Sequence, residues 1–267
     1  QAISSADPTL PLTLTSKQQT ALTALSNCLE AGSTHNELAG QGNPTRIGKR
    51  YLLHGVTGSG KTEVYLQLIA KLLELGKQAV VLVPEIILTP QTIQRFAGRF
   101  PGQAAVWHSK LNKTERYLTY QQVKQGQIRI VIGSRSALFL PFHKLGLIVI
   151  DEEHEISYKQ EQTPRYLTRT LAEKISDLTD AMLLLGSATP DVVSYYHATM
   201  GSYQLLELAQ RVNLTAQATS IDQATELPQV ELVDMTGEYR AGNRHTISRR
   251  LEAEIKLNLA NGEQTIL

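Results

Sequence analysis

Two hydrophobic periods alternate along this chain. Short apolar runs recur at Tyr51 to His54, Gln78 to Val83, Ala104 to His108, Ile128 to Ile132, Leu147 to Ile150 and Ala181 to Leu185. Each is closed by Gly, Pro, Asp or a polar residue, the pattern of strands buried on both faces. Between them lie stretches with helical spacing. One runs from Thr15 or Ser16 to about Ala31, with Ala21, Leu22, Leu25 and Leu29 on one side. A second runs from Glu63 to Leu75, with Val64, Leu68, Leu72 and Leu75 aligned. Others open at Thr89-Pro90, with proline at the favoured first position, and span Asn112 to Lys124, Thr168 to Leu178 and the residues after Pro190 to about Met200. This alternation predicts an α/β fold, a mostly parallel sheet with helices on both faces. Ligands of such sheets sit at the carboxyl ends of the strands.

Outside this block the pattern weakens. Residues 1–13 are polar and read as a linker, residues 32–50 as a loop rich in Gly, Asn, Ser and Thr, and residues 209–228 as a second linker. Val230 to Val233 is expected as a short strand, Ile247 to Leu259 as a helix, and Thr265 to Leu267 as the start of another strand. The expected organisation is therefore a linker (1–13), one nucleotide-binding α/β domain (14–208), and a further linker leading into a second domain (209–267). The chain opens on Gln1 and ends in what patterns as an unfinished strand, so a piece of a longer protein is expected.

Composition adds little. The 267 residues are 42% hydrophobic and 19% charged, as in ordinary soluble domains. A net charge of +1 neither favours nor excludes nucleic acid, because a local basic face can hide in a neutral total. The single cysteine, Cys28, forms no internal disulfide, and with the seven histidines it offers no familiar zinc spacing. No apolar run approaches the ~18 residues of a membrane span, and no signal peptide opens the chain. A cytoplasmic location, with no membrane partner, is the simplest expectation.

The chemistry enters at Gly55-Val56-Thr57-Gly58-Ser59-Gly60-Lys61-Thr62, which fits G-x-x-x-x-G-K-[ST] between a strand and a helix. Glycines let successive backbone N–H groups face one anion at a helix N-terminus. Gly55, Thr57, Gly58, Ser59, Gly60, Lys61 and Thr62 are thus candidates to cradle the phosphates of ATP. Lys61 would reach the β- and γ-phosphates and the Thr62 hydroxyl would sit on Mg²⁺. Leu147-Ile148-Val149-Ile150-Asp151-Glu152-Glu153-His154 then delivers acids at a strand end. Asp151 is the expected second holder of Mg²⁺, and Glu152 the group that orients and deprotonates the attacking water. His154 beside them is a candidate to report phosphate state. Gly186-Ser187-Ala188-Thr189 also follows a strand. Ser187 and Thr189 are expected either to hydrogen-bond the acidic motif or simply to cap a helix.

In that order these segments resemble helicase motifs I, II and III of superfamily 2. Val56 to Tyr65, Val83-Pro84-Glu85-Ile86, Ile132-Gly133-Ser134-Arg135-Ser136-Ala137, Val149 to His154 and Ser157-Tyr158-Lys159-Gln160-Glu161 narrow the resemblance to the primosomal replication-restart DNA helicases, over residues from about 12 to 267. The resemblance implies a first RecA-like domain of an ATP-dependent helicase moving 3′ to 5′ on single-stranded DNA at stalled forks. It implies primosome proteins and single-strand-binding protein as partners. It also implies a preceding DNA-binding region, and a following RecA-like domain that supplies an arginine to the ATP site and carries a zinc module, with no zinc in this stretch. Leu14-Thr15-Ser16-Lys17-Gln18 matches the segment whose glutamine reads adenine, giving that role to Gln18; the alternative is an exposed first-turn residue.

For DNA, the loop Glu155 to Arg165 matches the family's aromatic-rich loop. Tyr158 and Tyr166 are candidates to stack on bases, and Lys159 and Arg165 to neutralise phosphates. The alternative is a solvated loop. Arg135 matches a motif that grips the strand backbone, or else pairs with the acidic motif. Thr89 offers a helix-start contact to phosphate. Where the family commonly has His-Ala-Arg-Asp, this chain has Leu167-Thr168-Arg169-Thr170. The rival functions are a translocase that moves duplex without unwinding it and a nucleotide-dependent primosome scaffold that never turns over.

Overall fold

The apolar runs form the parallel strands their pattern predicts, and a further strand that the pattern does not mark closes one edge. The computed structural model describes residues 9–30, 49–212 and 230–267. In chain order the strands are β1 (Arg50–Gly55), β2 (Gln78–Leu82), β3 (Ala104–Trp107), β4 (Ile130–Gly133), β5 (Leu145–Asp151), β6 (Lys159–Gln160), β7 (Tyr166–Leu167), β8 (Met182–Ser187) and β9 (Gln204–Leu208). Seven of them make one sheet in the order β3-β4-β2-β5-β8-β1-β9, and every pairing in it is parallel. β6 and β7 form a separate antiparallel pair. Most of the loop expected over 32–50 and most of the linkers expected at 1–13 and 209–228 fall outside the described residues; Arg50, placed in that loop by its composition, instead opens β1.

Strand alternation divides the core in two. Leu53, Val81, Ile132, Val149 and Leu184 face α1 (Ser16–Glu30), α2 (Lys61–Glu74) and α3 (Pro90–Arg99). Their neighbours Leu52, Val80, Val131, Ile148 and Leu183 face α4 (Lys113–Lys124), α5 (Thr168–Thr179) and α6 (Val192–Thr199). Burying each such side chain contributes about 1.5–3 kcal/mol before entropy is subtracted. The helices start where their caps stand. The Thr89 hydroxyl accepts from Thr92 N, Asn112 and Glu115 form a reciprocal capping box, and Asp191 accepts from Val193 N. Val64, Leu68 and Leu72 are fully buried as predicted, but Leu75 is 45% exposed, because it stands at the C-cap where the helical spacing stops.

β9 escapes the pattern because it is an edge strand. It has one neighbour, β1, and only Leu208 of its residues is fully buried, so no continuous apolar run marks it. Contacts divide the chain into two units, Gln1–Thr225 and Glu226–Leu267. The second contains α7 (Met235–Arg240), capped by Asp234, and α8 (Arg249–Ala260), capped by Ser248. Asn243 joins them, its Nδ2 donating to Glu238 Oε2 at 2.8 Å and to Ile247 O at 3.0 Å. Val230 to Val233 and Thr265 to Leu267 are not strands. A strand needs a paired neighbour for its backbone N–H and C=O groups, and no described segment pairs with either. Among the described residues no helix is long and apolar enough to cross a membrane.

Candidate functional site

The sheet register assembles the site. β5, β8 and β1 are consecutive in the sheet. Asp151 pairs with Gly186, and Ser187 with His54, one residue before the glycine loop. Three segments far apart in sequence therefore reach the same edge within two strand spacings, about 10 Å.

After Gly55 the chain turns tightly, with Ser59 N donating to Val56 O at 3.0 Å. Gly60 takes φ 79° and serves as the N-cap of α2. A Cβ there would stand 2.2 Å from Gln18 Nε2, so only glycine fits. Lys61 is buried, and its Nζ donates to Gly55 O at 2.8 Å. Thr57 and Gly58 are exposed at the tip, and Thr62 is half-buried in the first turn. Ser59 Oγ is buried without a hydrogen-bond partner among the described residues.

Gln18 is 3% exposed, which removes the alternative of a solvated first-turn residue. Its Oε1 accepts from Thr15 N at 2.8 Å, and its backbone N donates to Thr15 Oγ1 at 3.3 Å, a reciprocal cap for α1. Its Nε2 donates to Ser59 O at 2.8 Å, binding α1 to the glycine loop. The end of β9 and the residues after it also reach this loop. Leu208 O accepts from Val56 N at 3.2 Å, and Val212 N donates to Gly58 O at 2.9 Å.

The acids stand across from the loop. Burial, reinforced by the neighbouring Glu152 charge, pushes Asp151 up to about 6; the Tyr65 hydrogen bond and Lys61 act the other way. Tyr65 Oη donates to Asp151 Oδ1 at 3.0 Å, and Tyr158 Oη donates to Asp151 O at 2.8 Å. Glu152 has φ 47°, a left-handed conformation that costs a non-glycine residue about 1 kcal/mol or more. The turn it makes carries the chain back, Glu155 N donating to Glu152 O at 2.9 Å. His154 Nδ1 lies 2.8 Å from Ser187 Oγ and 3.8 Å from Glu152 Oε2, and its Nε2 lies 3.4 Å from Thr189 Oγ1. Asp191, rather than Ser187 or Thr189, caps α6.

The second glutamate of the motif has a different task. Glu153 is 6% exposed and accepts from Asp191 N at 2.7 Å and from Ser194 Oγ at 2.8 Å. Arg169 Nη1 stands 3.7 Å from it and 3.0 Å from Asp191 Oδ1. This cluster, buried at Glu153 and open to solvent at Asp191, fixes α6 to the end of β5. Arg169 is the one residue of Leu167-Thr168-Arg169-Thr170 that keeps the family run, and that was the only sequence signal for the cluster. Tyr65 lies in the P-loop run, but no sequence pattern marks its partner Asp151.

The candidate DNA residues divide. Lys159, Arg165 and Tyr166, with Gln160, Glu161 and Leu167, line a pocket of about 650 Å³. Lys159 and Arg165 are exposed. Tyr166 packs edge-on to Phe139, centroids 5.5 Å apart. Tyr158 departs from the expected stacking role. It is 6% exposed, and its hydroxyl is spent on Asp151 O, so neither face of its ring is open to a base. Arg135 does not pair with the acidic motif; its Nη1 donates to the carbonyls of Ser157 and Lys159, fixing the start of the loop. Thr89 is exposed at the N-cap of α3.

Among the described residues no cluster of three or more His, Cys, Asp or Glu stands ready to hold a metal by itself. A Mg²⁺ site of the P-loop kind does not need one, because phosphates and water complete a shell begun by one or two side chains. The residues present fit that requirement. Thr62 supplies a hydroxyl and Asp151 a carboxylate crowded by the like charge of Glu152, which a cation would relieve. Ser59 Oγ adds an unpaired polar group inside the loop.

The DEAD/DEAH box helicase family profile matches residues 42–196. The chain belongs to the DEAD/DEAH box helicase family. Within that helicase family it is 45% identical over 259 residues to the replication restart protein PriA of Bacillus subtilis, covering 97% of this chain and 29% of that protein. It is 46% identical over 221 residues to PriA of Synechocystis, covering 81% of this chain and 25% of that protein. The chain thus spans less than a third of these relatives' length. Among solved structures, RecG bound to a three-way DNA junction matches with a TM-score of 0.52 at 24% identity, over 78% of this chain and 25% of that one. That match shares the RecA-like α/β fold.

Proposed function

We propose that this chain is the first motor domain of a PriA-type replication-restart helicase and forms half of a Mg-ATP site. One observation carries the reading: a glycine loop, an acidic strand end and a serine strand end on three adjacent strands, with His154 joining the last two. The amides of Gly58 to Thr62 and the Lys61 ammonium take the phosphates, Lys61 leaving the Gly55 carbonyl to do so. Gln18, already bound to the loop backbone, contacts adenine through its second amide hydrogen. Thr62 and Asp151 hold Mg²⁺, which supplies charge neutralisation on the phosphates when bound. Glu152, on its strained turn, orients the attacking water and takes its proton. Little covalent chemistry is asked of the chain; positioning and charge stabilisation do most of the work.

His154, Ser187 and Thr189 pass the phosphate state to the strand ends beside them. Lys159, Arg165 and Tyr166 form the DNA track, with Arg135 holding the loop that presents them and Thr89 offering a phosphate contact. In the longer protein a second RecA-like domain supplies an arginine, worth ~10³–10⁵ in rate in comparable systems, so this chain alone hydrolyses slowly. Movement is 3′ to 5′ on single-stranded DNA at stalled forks, in the cytoplasm, with primosome proteins and single-strand-binding protein as partners. The test is strand displacement on forked DNA by the longer protein, wild type against Glu152→Gln. Unwinding that needs ATP and stops in the variant is expected. Translocation without displacement would favour a duplex translocase, and no DNA-stimulated phosphate release would favour a scaffold.

A further inference from the structure

Tyr65 lies four residues after Lys61 on α2, so the two share a helix face. Lys61 turns to the glycine loop, while Tyr65, 1% exposed, points across the ends of β8 and β5. Its hydroxyl reaches Asp151 Oδ1 at 3.0 Å. The path exists because residue 186 is glycine. A Cβ on Gly186 would stand 1.7 Å from Tyr65 Oη and 3.2 Å from Asp151 Oδ1. Gly186 lies opposite Asp151 in the register, so any side chain there would fill the gap between the two groups. On the backbone side, Tyr158 Oη holds the Asp151 carbonyl at 2.8 Å. Both the main chain and the carboxylate of Asp151 are thus gripped by buried phenols.

We infer that Tyr65 is a positioning residue for the metal-holding carboxylate, reaching Asp151 through the space left open by Gly186. The inference rests on the Mg-ATP reading. A carboxylate held at one oxygen has its rotation about Cβ–Cγ fixed, so it meets the metal shell without reorganising. Such outer partners tune metal affinity because they fix the orientation of the ligand. The arrangement also makes α2 a common carrier. Lys61, Thr62 and Tyr65 sit within its first two turns, so a movement of the glycine loop with its helix carries Asp151 along.

The test is binding of a non-hydrolysable ATP analogue to the full chain by calorimetry, at graded Mg²⁺, for wild type, Tyr65→Phe and Gly186→Ala. Phenylalanine keeps the buried ring and removes only the hydroxyl. The expected result for Tyr65→Phe is an affinity without Mg²⁺ within about twofold of wild type, and a Mg²⁺ midpoint raised about tenfold. Gly186→Ala, which displaces the hydroxyl sterically, is expected to raise the midpoint in the same way. A Tyr65→Phe midpoint equal to wild type overturns the inference and leaves the nucleotide site standing. Wild-type binding that ignores Mg²⁺ overturns both. Should Gly186→Ala fail to fold, Tyr65→Phe decides alone.

Discussion

His154 ties two strand ends together through Ser187. Its Nδ1 lies 2.8 Å from the Ser187 hydroxyl, which also accepts from Thr189 N at 3.0 Å. One histidine thus joins the turn after β5 to the last residue of β8. If the contact is a direct coupling, His154→Ala and Ser187→Ala do not add. The expected interaction energy from a double-mutant cycle in urea unfolding is about 0.5–1.5 kcal/mol. Strict additivity would mean that the two side chains are neighbours without a bond.

The adjacent glutamates separate function from structure. Glu152→Gln is expected to retain nucleotide affinity and to lower hydrolysis by the longer protein about 10²–10⁴-fold, the range of a lost general base. Glu153→Gln keeps one acceptor oxygen but turns the other into a donor facing Asp191 N or Ser194 Oγ, and it removes the charge opposite Arg169, so it should lower stability by about 1–3 kcal/mol. Unfolding curves and single-turnover phosphate release distinguish them, and exchanged phenotypes would reverse the assignments.

Arg99 and Glu63 form a buried pair between α3 and α2, with Arg99 Nη2 3.0 Å from each carboxylate oxygen. Leu12 N and Gln67 Nε2 also donate to Glu63 Oε1, at 3.1 and 2.8 Å. Arg99→Met strands a buried negative charge and is expected to cost about 3–5 kcal/mol. Replacing both partners with apolar residues of similar volume should recover much of that loss. A single variant as stable as wild type would show that the pair contributes nothing.

Arg169 holds the Asp191 carboxyl below its ordinary range, chiefly through their hydrogen bond. A carboxylate with a depressed folded-state pKa adds stability above its unfolded value of about 3.9, and loses it as the pH falls through the folded value. The Tm difference between wild type and Asp191→Asn should therefore be largest above about pH 4 and shrink on further acidification. A difference that grows toward low pH would contradict the pairing.

Much of this was legible in the sequence because strand burial and phosphate binding leave strong local marks. The apolar runs mark the central strands, and the glycine loop and Asp151-Glu152-Glu153-His154 mark the candidate site. What stayed hidden depends on tertiary placement. β9 is half-buried at an edge and carries no run. Tyr158 looked like an exposed aromatic because its loop is polar, yet its hydroxyl turns inward to Asp151. The Glu153–Arg169 and Glu63–Arg99 pairs join residues whose charges alone suggest a solvated face. The reach of Tyr65 to Asp151 required knowing that Gly186 lies between them.

The most direct test of the account is calorimetric titration of ATP into the wild-type chain and into Lys61→Ala, with and without Mg²⁺. The account predicts binding by the wild type that weakens when Mg²⁺ is withdrawn and is lost in Lys61→Ala. Equal binding by the two proteins, indifferent to Mg²⁺, would contradict a phosphate site built on this loop.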